Sequence, residues 1–273
     1  MWTEITRSTY ARNDLRYASD LTDVEWALLE PHLPRRRATG RPRTTSMRAV
    51  VNAILYLLRS GCPWRLLPHD FPPRSTVQRY FYAWRDEGLW RRINHCLATE
   101  ARVAARRAAQ PSAGVIDSQS VATTESGGPR GLDPAKRVKG RKRHIVTDTD
   151  GLLLEVLVHT ANVQDVHGAV PLLRQTRNSF PRLRHVFADR VYRGQQLLAA
   201  LHDCGPWTIE IVQRAPGVKG FQLLPRRWVV ERTFAWLGRC RRLAKDFEAS
   251  CATAQTWIYL ASVLLLIRRA ARY

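Results

Sequence analysis

Three acidic residues stand in apolar surroundings. Asp117 follows Gly114-Val115-Ile116, Asp189 follows Val186-Phe187-Ala188, and Glu231 lies between Trp228-Val229-Val230 and Phe234-Ala235-Trp236. Aspartate is disfavoured in strands. A carboxylate withdrawn from water without a partner is costly and tends to protonate. Each of these acids therefore needs a cation, a hydrogen-bond network or a metal. They are separated by 72 and 42 residues, a distance that a mixed sheet closes by making remote strands neighbours. Asp117 and Asp189 would then share a divalent cation, with Glu231 reaching in from a flanking helix. Oxygen-only ligands suit Mg²⁺ or Mn²⁺. Two such ions would activate an attacking water or hydroxyl and stabilise the leaving oxygen in phosphoryl transfer. Spacing alone leaves open that each acid simply pairs with an arginine.

Next to the first acid in sequence lies a dense basic run. Lys136 to His144 carries six Lys and Arg in nine residues. Flanked by strands, it would clamp phosphates beside the acids, although such runs also serve as solvated faces or tails. Other chemistry is poorly supported. There is no Gly-rich phosphate loop ending in Lys-Ser or Lys-Thr. Cys and His are too scattered for zinc. His95 and Cys96 are adjacent in a helical stretch, where neighbouring side chains diverge. Asp148, Asp150 and Asp165 read as turn and loop residues.

The elements that must position these residues divide near position 110. The first part reads as helices. Thr22 and Glu25 form a capping box before Val24–Leu29, and a basic linker spans Pro34 to Arg43. A helix over Thr45–Ser60 stops at Gly61. A proline-rich stretch, Cys62–Pro73, precedes a helix from Val77 to Glu87 capped by Ser75 or Thr76, then Gly88 and a helix from Leu89 to about Ala109. Helices joined by a turn, with Arg and Gln on the reading helix, suit a helix-turn-helix domain over 1–110. A plain helical bundle has the same spacing. Beyond Pro111 the pattern changes to strands at 114–121, 143–148 and 152–159, the last two joined by an Asp-Gly hairpin turn. Helices at 166–177 and 195–202 then alternate with strands at 185–189 and 208–213, and two helices finish the chain at about 226–245 and 253–271. The whole is an α/β protein: a helical domain followed by a mixed sheet with helices packed on it, over 111–273.

Composition narrows the partner. The 273 residues carry 44 Lys and Arg against 23 Asp and Glu, a formal charge of +21. Five of the cations are Lys and 39 are Arg, the residue suited to bidentate phosphate and guanine contacts. Such a surface calls for a polyanion, and nucleic acid is the first choice. A hydrophobic content of 45% with nine Trp excludes a disordered chain. Five cysteines without a C-x-x-C pair fit a reducing, cytoplasmic setting. The N-terminus has no apolar core of a signal peptide. The apolar run Trp257–Ile267 is too short to span a bilayer.

Several segments in order, LTDVEWALLEPHLP, GCPWRLLPHDFPPRSTVQRYFYAWRDEGLW, GVIDSQSV, VKGRKRHIVTDTDGLLLEVLVHTANVQD, VFADRVYRG and RRWVVERTFAWLGRCRRLAKDFE, resemble bacterial insertion-sequence transposases. The branch is the insertion-sequence-five group of the Asp-Asp-Glu (DDE) enzymes, and the likeness runs from about Leu21 to Glu248. The resemblance implies a ribonuclease-H-like catalytic domain after a helical DNA-binding domain. It matches the first Asp to Asp117, the second to Asp189 in an A-D-x-x-Y segment with Tyr192, and the Glu to Glu231 in an R-x-x-x-E pattern with Arg227. Val191 stands where that segment often has Gly. Leu224 and Gly238 replace a Tyr and a basic residue of the fuller third motif, with Arg239 one position beyond.

Together these readings predict a nucleoid-associated bacterial transposase using two Mg²⁺ or Mn²⁺ ions on Asp117, Asp189 and Glu231. It would bind the terminal inverted repeats of its element and target DNA as a homo-oligomer, away from membranes. Arg74, Gln78 and Arg79 are the expected end-recognition residues. Lys139, Arg141, Lys142, Arg143, Arg227 and Arg239 are the expected phosphate contacts. Two other readings use the same residues: a non-catalytic DNA-binding repressor or decayed transposase, and a ribonuclease-H-like nuclease that cuts without joining.

Overall fold

The computed structural model describes residues 11–35, 43–213 and 224–272; positions 36–42 of the predicted basic linker and the first ten residues lie outside them. The capping box forms: the Thr22 hydroxyl accepts from Glu25 N–H and the Glu25 carboxylate accepts from Thr22 N–H, opening α1 (Asp23–Leu29). Ser46 caps α2 (Met47–Ser60), which stops at Gly61 with a left-handed φ of 71°. The proline-rich stretch holds only a short turn at Trp64–Leu66. α3 (Arg74–Asp86) starts directly after Pro73 rather than at a Ser or Thr cap, and Gly88 separates it from α4 (Leu89–Ala104).

The second part is a six-stranded mixed sheet. β1 (Ala113–Ala122) pairs antiparallel with β3 (Val138–Asp148), which pairs antiparallel with β4 (Leu153–Thr160) and with a short β2 (Gly131–Asp133). On its other side β1 pairs in parallel with β5 (His185–Ala188), which pairs in parallel with β6 (Thr208–Ile211). This is the mixed sheet implied by the ribonuclease-H-like resemblance. Asp148 closes the β3–β4 hairpin by accepting from Asp150 and Leu152 N–H, with Gly151 at φ 88°. α5 (Asp165–Ser179) and α6 (Gln195–Ala200) cover one face; α7 (Pro225–Gly238) and α8 (Cys251–Ala270) cover the other.

Three differences from the sequence expectation have local causes. β2 lies where the sequence reading places no strand, because its three residues are ordered only by pairing with β3. α7 ends at Gly238, not near Lys245, because the following chain is tied to the sheet by buried arginines described below. β5 ends before Asp189, whose Oδ1 accepts from Val191 N–H and caps a short turn, Arg190–Tyr192. Asp favours such local bonds over strand.

The helical and sheet parts share one apolar core. α8 is apolar on nearly all sides and needs cover on all of them. By length and composition alone α8 is long enough to cross a membrane, but 72% of its apolar window is buried in the protein. The sheet covers one side and α2, α3 and α4 the other, with Trp257 stacked on Phe81 at 4.4 Å. Polar ties cross the same seam. Arg91 of α4 grips Glu155 of β4 at 2.7 to 3.1 Å, and Tyr259 of α8 donates to the same carboxylate. Asn94 donates to Leu153 O at 2.9 Å, and Arg102 of α4 pairs with Asp148 where both are buried. Residue 110 thus marks the change from helix to strand without separating two cores.

Removing one partner from a buried ion pair leaves an uncompensated charge. Arg102→Ala is expected to cost about 3–5 kcal/mol in urea unfolding. Arg107→Ala, which breaks the more exposed pair with Asp150, is expected to cost less than about 1 kcal/mol.

Candidate active site

Asp117 lies two residues beyond the paired Val115 of β1, and Asp189 two residues beyond its partner Phe187 of β5. Equal steps along parallel strands leave both carboxylates on the same face. A cleft between them is lined by Val115, Phe187, Val212 and Arg227 besides the two acids. Asp117 Oδ1 accepts from Ser118 N–H at 2.7 Å. Burial, and secondarily the Asp189 charge, push the Asp117 carboxyl up to about 6, against the opposing Ser118 bond and the cations Arg227 and Lys136.

α7 brings the third acid. Arg227 and Glu231 are one turn apart, and Arg227 Nε lies 3.0 Å from Glu231 Oε1. The same guanidinium reaches across the cleft, with Nη2 4.0 Å from Asp189 Oδ2. One arginine thus bridges two of the three acids. Among the described residues, no three His, Cys, Asp or Glu side chains are close enough to hold a metal together. Asp117 and Asp189 nevertheless present only oxygen donors and an excess of negative charge, which fits a hard divalent cation. Glu231 is held apart from that pair by its ion pair with Arg227.

The predicted basic clamp is largely internal. Side chains alternate along β3, and the strand is covered on both faces. Arg141 is fully buried: Nη1 donates to Asp246 Oδ1 at 3.0 Å and Glu248 O at 2.8 Å, and Nε donates to Pro129 O at 2.8 Å. Arg143 donates to Leu243 O at 2.7 Å and Lys245 O at 3.2 Å. These two arginines pin the chain between α7 and α8 to the sheet. Lys142, on the opposite face, is buried against Asp165, Asp133 and Val163 O. The expectation that Arg141, Lys142 and Arg143 contact phosphates is corrected here: all three are buried, Arg141 and Lys142 are ion-paired inside the protein, and Arg143 donates to backbone carbonyls.

Lys139 is exposed at the start of the same strand, and Arg239 is exposed at the end of α7. Arg74 and Arg79 are exposed and Gln78 half-buried on α3, far along the chain from the acids. Tyr192 is buried beneath the sheet against the His144 ring. Sequence reasoning missed Asp165 by reading it as a loop residue; it opens α5 and accepts from Ser118 Oγ at 2.9 Å and Lys142 Nζ at 2.8 Å. The available signal was the alternation of Lys142 and His144, which points both at one face.

The raised Asp117 pKa carries a sign. A folded value near 6 against an ordinary 3.8 means the folded state holds more proton between those values. The stabilising contribution is present below the lower value and lost as pH rises through the upper one. Metal-free Asp117→Asn is therefore expected to gain thermal stability over the parent protein from pH 4 to pH 7, by up to about 3 kcal/mol. The two melting curves should converge near pH 4.

Comparison with known proteins accords with this geometry. A family described as "Putative transposase of IS4/5 family" matches residues 21–94, and one described as "Transposase DDE domain" matches residues 108–266. The chain is similar to a Burkholderia cepacia protein described as "Putative transposase for insertion sequence element IS402". Identity is 37% over 172 residues, covering 57% of this chain and 79% of that one. It is also similar to the "Insertion element IS402 uncharacterized 16.2 kDa protein" of the same organism, 31% identical over 120 residues, which cover 42% of this chain and 80% of that one. No solved structure matches. A DDE domain implies polynucleotidyl transfer on DNA with divalent metal ions and a ribonuclease-H-like fold. With that domain matched across more than half its length, the chain belongs to the DDE transposases of the IS4/5 family.

Proposed function

We propose that this transposase binds the terminal inverted repeats of an insertion sequence, cuts a strand at the element end, and joins the freed 3′-OH to target DNA. The observation that carries the reading is that Asp117 and Asp189 lie equal steps beyond the paired residues of the neighbouring interior strands β1 and β5, with Glu231 held one arginine away. Two Mg²⁺ or Mn²⁺ ions bound there would supply a low-pKa water and neutralise charge developing on the scissile phosphate. Asp117 and Asp189 hold the site jointly, oriented by the backbone N–H groups of Ser118 and Val191. Arg227 balances Asp189 and Glu231 in the absence of substrate. A DNA phosphate, offering the guanidinium a bidentate partner, draws it away and frees Glu231 to turn toward the two aspartates.

In the cutting step water oxygen attacks phosphorus and the P–O3′ bond breaks, leaving a 3′-OH. In the joining step that hydroxyl attacks a target phosphate, and one phosphodiester is exchanged for another without an external energy source. Lys139 and Arg239 contact backbone phosphates near the acids, and Arg74, Gln78 and Arg79 read the element end. Two ends must be held at once, so the working form is a homo-oligomer on DNA, in the bacterial cytoplasm with the nucleoid.

Asp189→Asn is expected to bind flanking element DNA as tightly as the parent chain and to lose Mg²⁺-dependent breaks at the repeat ends. The check is nucleotide-resolution mapping of cut strands with Mg²⁺ and with EDTA. Retained cleavage overturns the site assignment, and breaks without joined products point to a nuclease. Lys139→Ala and Arg239→Ala should each reduce the slope of log K against log salt by about 1, the loss of one phosphate contact.

A further inference from the structure

A buried polar network lies directly behind Asp117, on the face of the sheet away from the cleft. Its centre is Ser118, whose backbone N–H is the donor to Asp117 Oδ1 at 2.7 Å. The Ser118 hydroxyl points the other way and donates to Asp165 Oδ1 at 2.9 Å. Asp165 Oδ1 also takes Lys142 Nζ at 2.8 Å, and Lys142 reaches Val163 O at 2.9 Å, fixing the chain that leads into α5. Lys136 Nζ donates to Ser118 O at 3.2 Å. The peptide units on both sides of Ser118 are therefore gripped. The side chains of Ser118 and Lys142 are buried, so these bonds face little competition from water.

The packing makes this grip rigid. α5 approaches the strands so closely that a Cβ on Gly168 would lie 2.5 Å from His144 Cε1 and His159 Nε2. Those two rings are themselves bonded, His144 Nδ1 to His159 Nε2 at 2.8 Å. A flexible α5 start would let Asp165 drift and Ser118 with it. Here the glycine contact and the histidine pair set the height of the α5 start over β1 and β3.

We propose that Lys142, Asp165 and Ser118 form a positioning relay that fixes the Asp117 carboxylate for divalent-cation binding. The inference rests on the metal-site reading above and adds to it the residues that hold its first ligand from behind. Carboxylates that ligate metals must be placed within a fraction of an ångström, and partners one bond removed commonly govern affinity by about 10- to 100-fold. The relay also accounts for a buried lysine: Lys142 is spent on geometry rather than on phosphate.

The test is Mn²⁺ titration of the full chain without DNA, followed by the electron paramagnetic resonance signal of free Mn²⁺. Ser118→Ala removes the hydroxyl's bonds to Asp165 and to Lys136 Nζ and leaves the Lys142–Asp165 pair intact, so no buried charge is orphaned. The double substitution Lys142→Met with Asp165→Asn removes both charges together. Both variants are expected to bind Mn²⁺ at least about tenfold more weakly, with circular dichroism and DNA binding in EDTA unchanged. Wild-type Mn²⁺ affinity in folded Ser118→Ala, alongside lost affinity in Asp117→Asn, overturns the relay and leaves the metal site standing. Wild-type affinity in Asp117→Asn as well overturns the metal-site reading itself, and the relay with it.

Discussion

Because β1 pairs in parallel with β5 inside the sheet, Asp117 and Asp189 are carried to one cleft on equal steps from the last paired residues, Val115 and Phe187. Two carboxylates in one cleft repel, and burial adds to the cost of ionising the inner one. The Asp117 carboxyl is accordingly pushed up to about 6. The protein answers with cations held at a distance, Arg227 from α7 and Lys136 from the loop before β3. The result is an electrostatic repulsion that a divalent cation would relieve under the function proposed above. A stable scaffold alone would have no use for it, since replacing either acid by a neutral residue removes the repulsion.

The rest of the fold holds that cleft still. Arg141 and Arg143 project from one face of β3 and tie down the chain joining α7 to α8, which limits where Glu231 sits. Lys142 and His144 project from the other face and seat α5. A run of cations in sequence thus becomes two sets of internal struts. α8 in turn requires cover on both sides, which joins the N-terminal helices to the catalytic sheet through a common core.

Much of the site is legible in the chain itself. Asp117, Asp189 and Glu231 are conspicuous because acids within apolar runs demand partners. The Asp-Gly turn, the Thr22 cap and the Gly61 stop depend on neighbours within a few residues, and each forms as read. The basic run was misleading for a physical reason. Charge density is a property of sequence, but exposure belongs to the strand's neighbours, and β3 has the α5 start against one face and the chain between α7 and α8 against the other. Asp165 was passed over because its role rests on Ser118 and Lys142, 47 and 23 residues away.

The sequence by itself determined most of the element types, the excess of positive charge and which three acids stand in apolar runs and need partners, because periodicity, charge and desolvation cost are carried by the residues. Only the tertiary structure decided which cations face solvent and which acid each one neutralises. It also decided that Arg227 stands between Asp189 and Glu231, and that Ser118 links the cleft to the buried network behind it. Those outcomes depend on distances across strands and helices, and Coulomb and hydrogen-bond energies fall too steeply with distance to be read from spacing along a chain.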